Sequence, residues 1–292
     1  MAAPSLTATG RARRRKLANR AAEAFSTLAA LAAVAVLALV VGSVLLKGIH
    51  ALSWEFLTAT PVTFGETGGG IAQAIVGSAL LIVMAAAMAV PVGVLVAIYV
   101  TEFAPSAIDR SVRLALDVLN GVPSIVIGIF VFTLLIVGHH QSALAGSVAL
   151  AVIMLPLVAR STQEVLKLVP GHLREASFAL GASRWRTVLG VVLPTAVGGI
   201  ATGATLAVAR AAGETAPLLF TTSVAPTTVS TDVREAVASI PLTIFQYAEA
   251  PDPALNEQAW AAAFVLISFV LVLSLGSRAA LARSRRKLGD PR

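Results

Sequence analysis

Residues 170–186 read PGHLREASFALGASRWR and interrupt a chain that is otherwise strongly apolar. The stretch is too polar to cross a bilayer, and its residues suit a short helix rather than a slack loop. Glycine adopts a positive φ at little cost, so Gly181 predicts the end of that helix. The Arg-Trp-Arg triplet at 184–186 then puts cations and an indole ring where a membrane surface is expected to begin. The apolar run that follows contains Pro194, which the first turn of a helix accepts.

The composition is that of a membrane protein. Of the 292 residues, 57% are hydrophobic and 13% are charged, with a mean hydropathy of +0.85, whereas soluble domains carry about 25% charged residues. The absence of cysteine excludes disulfides, thiolate metal sites and cysteine nucleophiles. The net charge of +7 would suit nucleic acid, but the cations cluster beside apolar segments, as topology signals do. We therefore expect an all-α, polytopic transmembrane helical bundle that contacts the lipid bilayer and no nucleic acid.

Six apolar runs predict six spans, since about 20 helical residues cross the hydrocarbon core. The first is expected to stay uncleaved, because no convincing small-residue cleavage site precedes Lys47. The third is interrupted by NGVPS at 120–124. The predicted spans are Phe25–Leu46, Ile71–Val100, Leu114–Val137, Ala143–Ala159, Val191–Pro217 and Ala259–Leu275. Basic cytoplasmic tails, 1–24 and 281–292, flank a transmembrane domain, 25–280, in which segment 163–190 is cytoplasmic.

The basic residues predict an orientation. With both termini inside, 19 of the 22 lysines and arginines lie in inner segments. The outer loops hold Lys47 and Arg234, and Arg210 lies within a span. Cytoplasmic loops carry such an excess of Lys and Arg. The distribution therefore favours a multi-pass protein with both termini in the cytoplasm.

A long spaced pattern runs through the polar stretch. The triplet EAS at 175–177 is followed after three residues by Gly181, and after nine more by Val191, Leu193 and Pro194. This resembles the EAA signature of ABC importer permeases, with Ser for the last Ala and Val for Ile. The alternative is an amphipathic helix lying on the inner leaflet. The resemblance implies a type I permease fold and a cytoplasmic coupling helix that sits in a groove of a separate ATPase subunit, through Glu175, Ala176, Ser177 and Gly181.

The fifth predicted span combines small side chains with two charges. Its GxxxG pattern, Gly199 to Gly203, lets helix backbones approach closely, so we expect this helix at the centre of the bundle. Arg210 and Glu214 are four residues apart and would share one face of the predicted helix. An arginine at a helix centre costs about 2.5–3.5 kcal/mol on insertion. Arg210 and Glu214 could form a self-contained ion pair that only holds neighbouring helices together. Alternatively, the guanidinium of Arg210 faces a polar cavity and binds an oxyanion.

The sequence around these two charges resembles one particular group of importer permeases. Residues 209–221 read ARAAGETAPLLFT, with SIPLTIF following at 239–245. Both resemble the PstA-type permeases of phosphate-specific ABC importers, and the similarity extends from about 121 to 275. The resemblance implies a bacterial plasma (inner) membrane protein that moves phosphate, with Arg210, Glu214, Thr215 and Arg160 on the substrate pathway. For Arg160, at the end of the fourth predicted span, a snorkelling membrane anchor is the alternative. The partners implied are a second permease subunit in a heterodimer, two ATPase subunits and an external phosphate-binding protein.

Two further groups are weaker candidates. Asp117 precedes the interruption at 120–124, where we expect it to cap or brace the broken helix, with gating as a more speculative role. His139 and His140 are adjacent, so they do not share a helix face, and we interpret them as solvated residues rather than metal ligands.

Nucleotide chemistry is expected from a partner. None of the four lysines follows the glycine that a phosphate-binding G-x-x-x-x-G-K-[ST] loop requires. The sequence shows no His and acid cluster for a metal and no nucleophile–base spacing. We expect no catalytic residue and no cofactor in this chain, with ATP and Mg²⁺ bound by the partner ATPase.

The sequence leaves three alternatives open. The substrate could be another oxyanion, such as sulfate, molybdate or phosphonate, because the coupling signature is shared among importers. A self-sufficient secondary transporter is opposed by the coupling signature and by the absence of a convincing internal repeat. A membrane-embedded enzyme is opposed by the absence of a catalytic constellation.

Overall fold

The computed structural model describes residues 10–62, 68–223 and 227–287. The outermost parts of the predicted tails, 1–9 and 288–292, lie outside these ranges. The described residues form α-helices and no strands. In chain order the helices are α1 Arg11–His50, α2 Trp54–Thr58, α3 Ala72–Ile98, α4 Ser106–Gly121, α5 Ser124–Leu135, α6 Ala143–Lys167, α7 Gly171–Ala179, α8 Arg184–Thr187, α9 Leu193–Ala211, α10 Ala216–Thr221, α11 Ile240–Glu249 and α12 Pro253–Lys287.

Within the described ranges, five helical segments are long and apolar enough to cross a membrane. They are Arg13–His50, Ala72–Phe103, Ala143–Lys167, Arg184–Ala211 and Pro253–Ala279. A sixth crossing is obtained if α4 and α5 are counted as one, although they are bent by 99°. The predicted interruption at 120–124 is therefore confirmed as a break. With 12 residues, α5 is roughly 18 Å long and shorter than the hydrocarbon core of about 30 Å.

The helices extend beyond several of the predicted apolar spans. The first helix begins at Arg11, inside the predicted tail, and α12 extends from Pro253 to Lys287. Arg, Lys, Ala and Leu are good helix formers, so charge at the ends does not stop a helix. The segment between the fifth and sixth predicted spans contains α11.

Two π-helical turns adjoin the long helices α3 and α9. One, Tyr99–Phe103, continues α3. The other, Val188–Val192, joins α8 to α9, whose second residue is Pro194. Proline lacks an N–H group and its ring clashes with the carbonyl four residues earlier. The wider turn accommodates that proline inside one continuous helical run.

The core is centred on α6. Its most extensive contacts are with α3 and then with α9. Of the 18 residues in its most apolar stretch, 67% are buried, compared with 22% for the corresponding stretch of the α8–α9 segment. The prediction that the small-residue helix is the central one was therefore wrong for the single chain. Its small residues pack on one side only and leave Val197 and Leu206 exposed on the other.

The close helix approach predicted for the GxxxG pattern is confirmed. A Cβ atom added at Gly199 would lie 2.5 Å from Val165 Cγ1, and one at Gly203 would lie 2.3 Å from Ser161 Oγ. Such distances are shorter than van der Waals contact allows. The two glycines therefore bring α9 against α6, and this packing places the end of α9 beside the middle of α6.

Candidate functional site

The predicted charge pair lies where α9 ends. The helix stops at Ala211 and the chain turns before α10 begins at Ala216. The prediction that Arg210 and Glu214 share the face of one helix was wrong, because α9 ends at Ala211 and Glu214 lies in the turn that follows, next to Gly213, a poor helix former. The two charges still face each other, with 3.7 Å between Arg210 Nε and Glu214 Oε1. That distance exceeds the hydrogen-bond range.

Arg210 is more open than its partner. Its side chain is 54% exposed, whereas that of Glu214 is 17% exposed. Both line a cleft of about 140 Å³ whose other walls are the break between α4 and α5 and one residue of α6. The lining residues of the cleft are Leu119, Asn120, Val122, Pro123, Ser124, Ile127, Ile153, Arg210 and Glu214.

The cleft lies beside the middle of α6. Ile153 is ten residues from Ala143 and fourteen from Lys167, which corresponds to roughly 15 Å and 21 Å along α6. Within a membrane, irregular backbone is tolerated where it is buried in protein or lines a cavity. The break between α4 and α5 fits that condition.

The start of α5 adds polarity to the cleft. No side chain in the described ranges caps the first turn of α5, which begins at Ser124. The first N–H groups of a helix have no partner within the helix, and they carry a partial positive charge. Together with Asn120 and Arg210 they give this cleft donors and a cation suited to an anion.

A second charge pair ties the broken helix to α6. Arg160 Nε lies 3.0 Å from Asp117 Oδ1, and Nη2 contacts the same oxygen. Both side chains are partly exposed. Arg160 is seven residues from Ile153, so it lies roughly 10 Å from the cleft along α6, towards Lys167. The structure therefore joins two predicted site residues, Asp117 and Arg160, and their roles stay predictions.

Thr215 lies apart from these groups. It precedes α10, is partly buried and does not line the cleft. Its carbonyl accepts the Leu219 N–H. Its place on a substrate pathway stays a prediction.

The predicted coupling helix is present as α7. Gly181 follows it with φ +79°, which confirms the predicted end. None of the nine residues of α7 is buried, and Glu175 and Ala176 are exposed. Ser177 Oγ lies 2.9 Å from Thr187 Oγ1, which holds α7 against α8. The adjoining Leu180 is 89% exposed, so this segment offers an uncovered surface.

Sequence reasoning missed the polar lining of the cleft. The interruption at 120–124 was noticed, but Asn120 and Ser124 received no role. The available signal was two polar residues beside Gly and Pro within an apolar run, the pattern of a discontinuous helix that lines a transport site.

These features define a class of protein: a multi-pass helical membrane protein with a broken helix beside the middle of α6 and an exposed helix between two spans. The fold is that of ABC importer permeases. It is similar to a chain of the MetNI methionine ABC transporter in an inward-facing conformation, with a TM-score of 0.57, 22% identity, and coverage of 73% of this chain and 94% of that one.

The sequence comparison identifies the family. The profile described as "binding-protein-dependent transport system inner membrane component" matches residues 89–288, and this chain belongs to that family. Two relatives are each named phosphate transport system permease protein PstA. The protein of Yersinia pestis is 40% identical over 245 residues, 83% of either chain. That of Xylella fastidiosa (strain Temecula1 / ATCC 700964) is 39% identical over 277 residues, 94% of this chain and 96% of its own.

Proposed function

We propose that this chain is the transmembrane permease subunit of an ATP-driven phosphate importer and that it forms half of the translocation pathway. Its relatives named as phosphate permeases match it along most of both chains. The observation that supports transport of an anion is the exposed guanidinium of Arg210 in a cleft at the break between α4 and α5. The chain acts as a transport subunit and carries out no reaction of its own.

Arg210 suits a tetrahedral oxyanion. A guanidinium keeps its charge and donates two parallel hydrogen bonds to two oxygens of one phosphate. Glu214 lies near enough to balance the charge but too far for a hydrogen bond. In the proposed cycle Glu214 holds Arg210 at rest, and the arriving anion displaces it. The N–H groups at the start of α5 add positive potential on the opposite wall.

The energy comes from a partner that binds ATP and Mg²⁺. The exposed α7, with its uncovered apolar neighbour Leu180, is the surface that an ATPase subunit would cover. The resting cleft opens and closes as α7 moves with the ATPase and carries the attached spans with it. The complex comprises two ATPase subunits, a second permease in a heterodimer and an external phosphate-binding protein. The poorly buried α8–α9 segment leaves surface for that second permease.

The proposed topology places both termini and α7 in the cytoplasm of a bacterial inner membrane. Arg113, Arg160, Lys167 and Arg174 then lie towards the inner side, as the positive-inside rule requires. The substrate pathway would use Arg210, Glu214 and Arg160, with Thr215 near its edge and Asp117 as a brace for Arg160.

The test is uptake by a complex reconstituted from all its subunits in liposomes. We expect ATP-dependent accumulation of phosphate and much slower accumulation of sulfate under the same conditions. Omission of the ATPase should abolish uptake. Faster uptake of sulfate would assign another oxyanion, and ATP-independent uptake by this chain alone would identify a secondary transporter.

A further inference from the structure

A partly buried ion pair joins two segments that are 72 residues apart. Arg174 of α7 donates through Nη2 to Glu102 Oε1 at 2.7 Å, and its Nε lies 3.4 Å from Oε2. Glu102 belongs to the π-helical turn that continues α3. Its side chain is 10% exposed and that of Arg174 is 21% exposed. Among the ion pairs between the described residues, this is the most buried.

The same guanidinium also binds the end of α6. Arg174 Nη1 donates to the Val169 carbonyl at 2.7 Å, and Nη2 donates to the Leu166 carbonyl at 3.0 Å. The last carbonyls of a helix lack partners within the helix, so a side chain that reaches them fixes its own position. One side chain of α7 thereby holds α3 and α6 together.

Aromatic contacts reinforce the junction. Phe103, next to Glu102, packs on Trp185 with ring centroids 4.9 Å apart, and the Arg184 guanidinium lies 5.7 Å from the Phe103 ring. We call Glu102, Phe103, Arg174 and Trp185 the α3–α7 clamp. It joins α3 to both ends of the segment that connects α6 to α9.

The clamp matters because α7 has little other attachment to the bundle. None of its residues is buried, and its apolar contribution to the nearby core is the partly buried Leu173. Through the covalent backbone alone, a displacement of α7 would reach only α6 and α8, the helices that flank it in the chain. Since α3 makes its most extensive contacts with α6, a bond to α3 allows both helices to move as one unit.

We infer that the Glu102–Arg174 pair transmits movement of α7 to α3, so that both residues position the coupling helix for the transport cycle. This inference rests on the proposed function. Neither residue touches the anion or nucleotide. Loss of the pair should therefore leave ATP hydrolysis by the partner in place and reduce the transport obtained from it.

The test uses the complete complex in liposomes, with phosphate uptake and ATP hydrolysis measured together. In Glu102→Gln and Arg174→Met we expect the ATPase subunits to stay bound and the phosphate moved per ATP to fall at least about fivefold, the lower end of typical coupling factors. The double variant should be little worse than the more affected single variant, because residues in one contact are not additive. Glu164→Gln breaks the exposed pair with Lys167, 2.7 Å apart on α6, and should leave the ratio unchanged.

An unchanged ratio in both single variants would overturn the inference. So would the loss of ATPase subunits from either variant complex, which would show a role in docking rather than in transmission. If the unaltered complex moved no phosphate, the proposed function would fail first. Amide hydrogen exchange of residues 171–179 would then test the clamp separately. Exchange should be faster in Glu102→Gln than in the unaltered chain, and Glu164→Gln should exchange like the unaltered chain. Exchange in Glu102→Gln equal to that of the unaltered chain would overturn the inference that the pair positions α7.

Discussion

Arg160 and Arg210 carry the same guanidinium in different surroundings. Arg160 is hydrogen-bonded to Asp117 at 3.0 Å, whereas the carboxylate paired with Arg210 lies 3.7 Å away. A guanidinium that already shares its donors with a carboxylate has fewer left for an anion. The geometry therefore favours Arg210 as the anion-binding residue and Arg160 as the residue that holds α4 to α6.

Asp117→Asn tests the role of this second pair. Since both side chains are partly exposed, the change should cost at most about 1 kcal/mol of stability, and the amount of protein in the membrane should not change. Phosphate uptake should fall, because the break between α4 and α5 loses its tie to α6. Asp109→Asn is the matched control, since it removes the pair with Arg113 inside α4. Equal uptake by the two variants would contradict this role.

Among the helices, the break between α4 and α5 does most to shape the cleft. A straight helix would present a continuous apolar surface to Arg210, whereas the 99° bend places Asn120 and Ser124 in the lining of the cleft. The packing of α5 is tight: a Cβ atom added at Gly128 would lie 2.7 Å from Pro217 Cα in α10. The short α5 is thereby held in place beside the turn that carries Glu214.

Gly181→Val tests the end of the coupling helix. The added Cβ would meet no atom within 4 Å, but φ is +79° there. A branched residue in left-handed backbone costs roughly 1–2 kcal/mol. The strain should displace Leu180 and weaken co-purification of the ATPase. Gly171→Ala adds a Cβ in equally open space without a positive φ, and it should assemble normally; normal assembly of both variants would refute the coupling assignment.

Local sequence patterns predicted the helices and turns more accurately than they predicted the tertiary contacts between helices. Gly181 and the GxxxG pattern were interpreted correctly because turn geometry and close packing depend on residues near in sequence. The end of α9 at Ala211 was missed, since its apolar pattern runs on to Pro217. The central place of α6 and the Glu102–Arg174 pair depend on tertiary packing between distant segments, for which a single sequence carries no periodic signal.

For the molecule as a whole, the distribution of charge predicts a topology that labelling can check. The chain contains no cysteine, so a single introduced thiol reports its own position. His172 of α7 and His139 near the end of α5 are both exposed. In intact cells a membrane-impermeant thiol reagent should label His139→Cys and spare His172→Cys, with the reverse in inside-out vesicles. Labelling of both from one side would contradict the proposed orientation.

Also for the molecule as a whole, the cleft that holds Arg210 and the exposed helix α7 are separate regions of one chain. The cleft holds Arg210 at the end of α9, and α7 precedes the same helical run through α8 and its π-helical turn. Movement of α7 can therefore reach the cleft through α9 directly and through α6 by way of the clamp. The proposed import cycle requires both the anion-binding residue and this mechanical connection.

The most direct measurement is ATP-dependent phosphate uptake by complete complexes that carry Arg210→Ala or Arg210→Lys. Because a hydrogen bond to a charged group contributes about 1.5–3 kcal/mol, uptake should fall at least about tenfold in Arg210→Ala. Arg210→Lys should retain part of the uptake, since lysine keeps the positive charge but cannot donate two parallel hydrogen bonds as a guanidinium does. Arg113→Lys, which alters an arginine paired within α4, should transport normally. Undiminished phosphate uptake by Arg210→Ala in an assembled complex would contradict a pathway built on this residue.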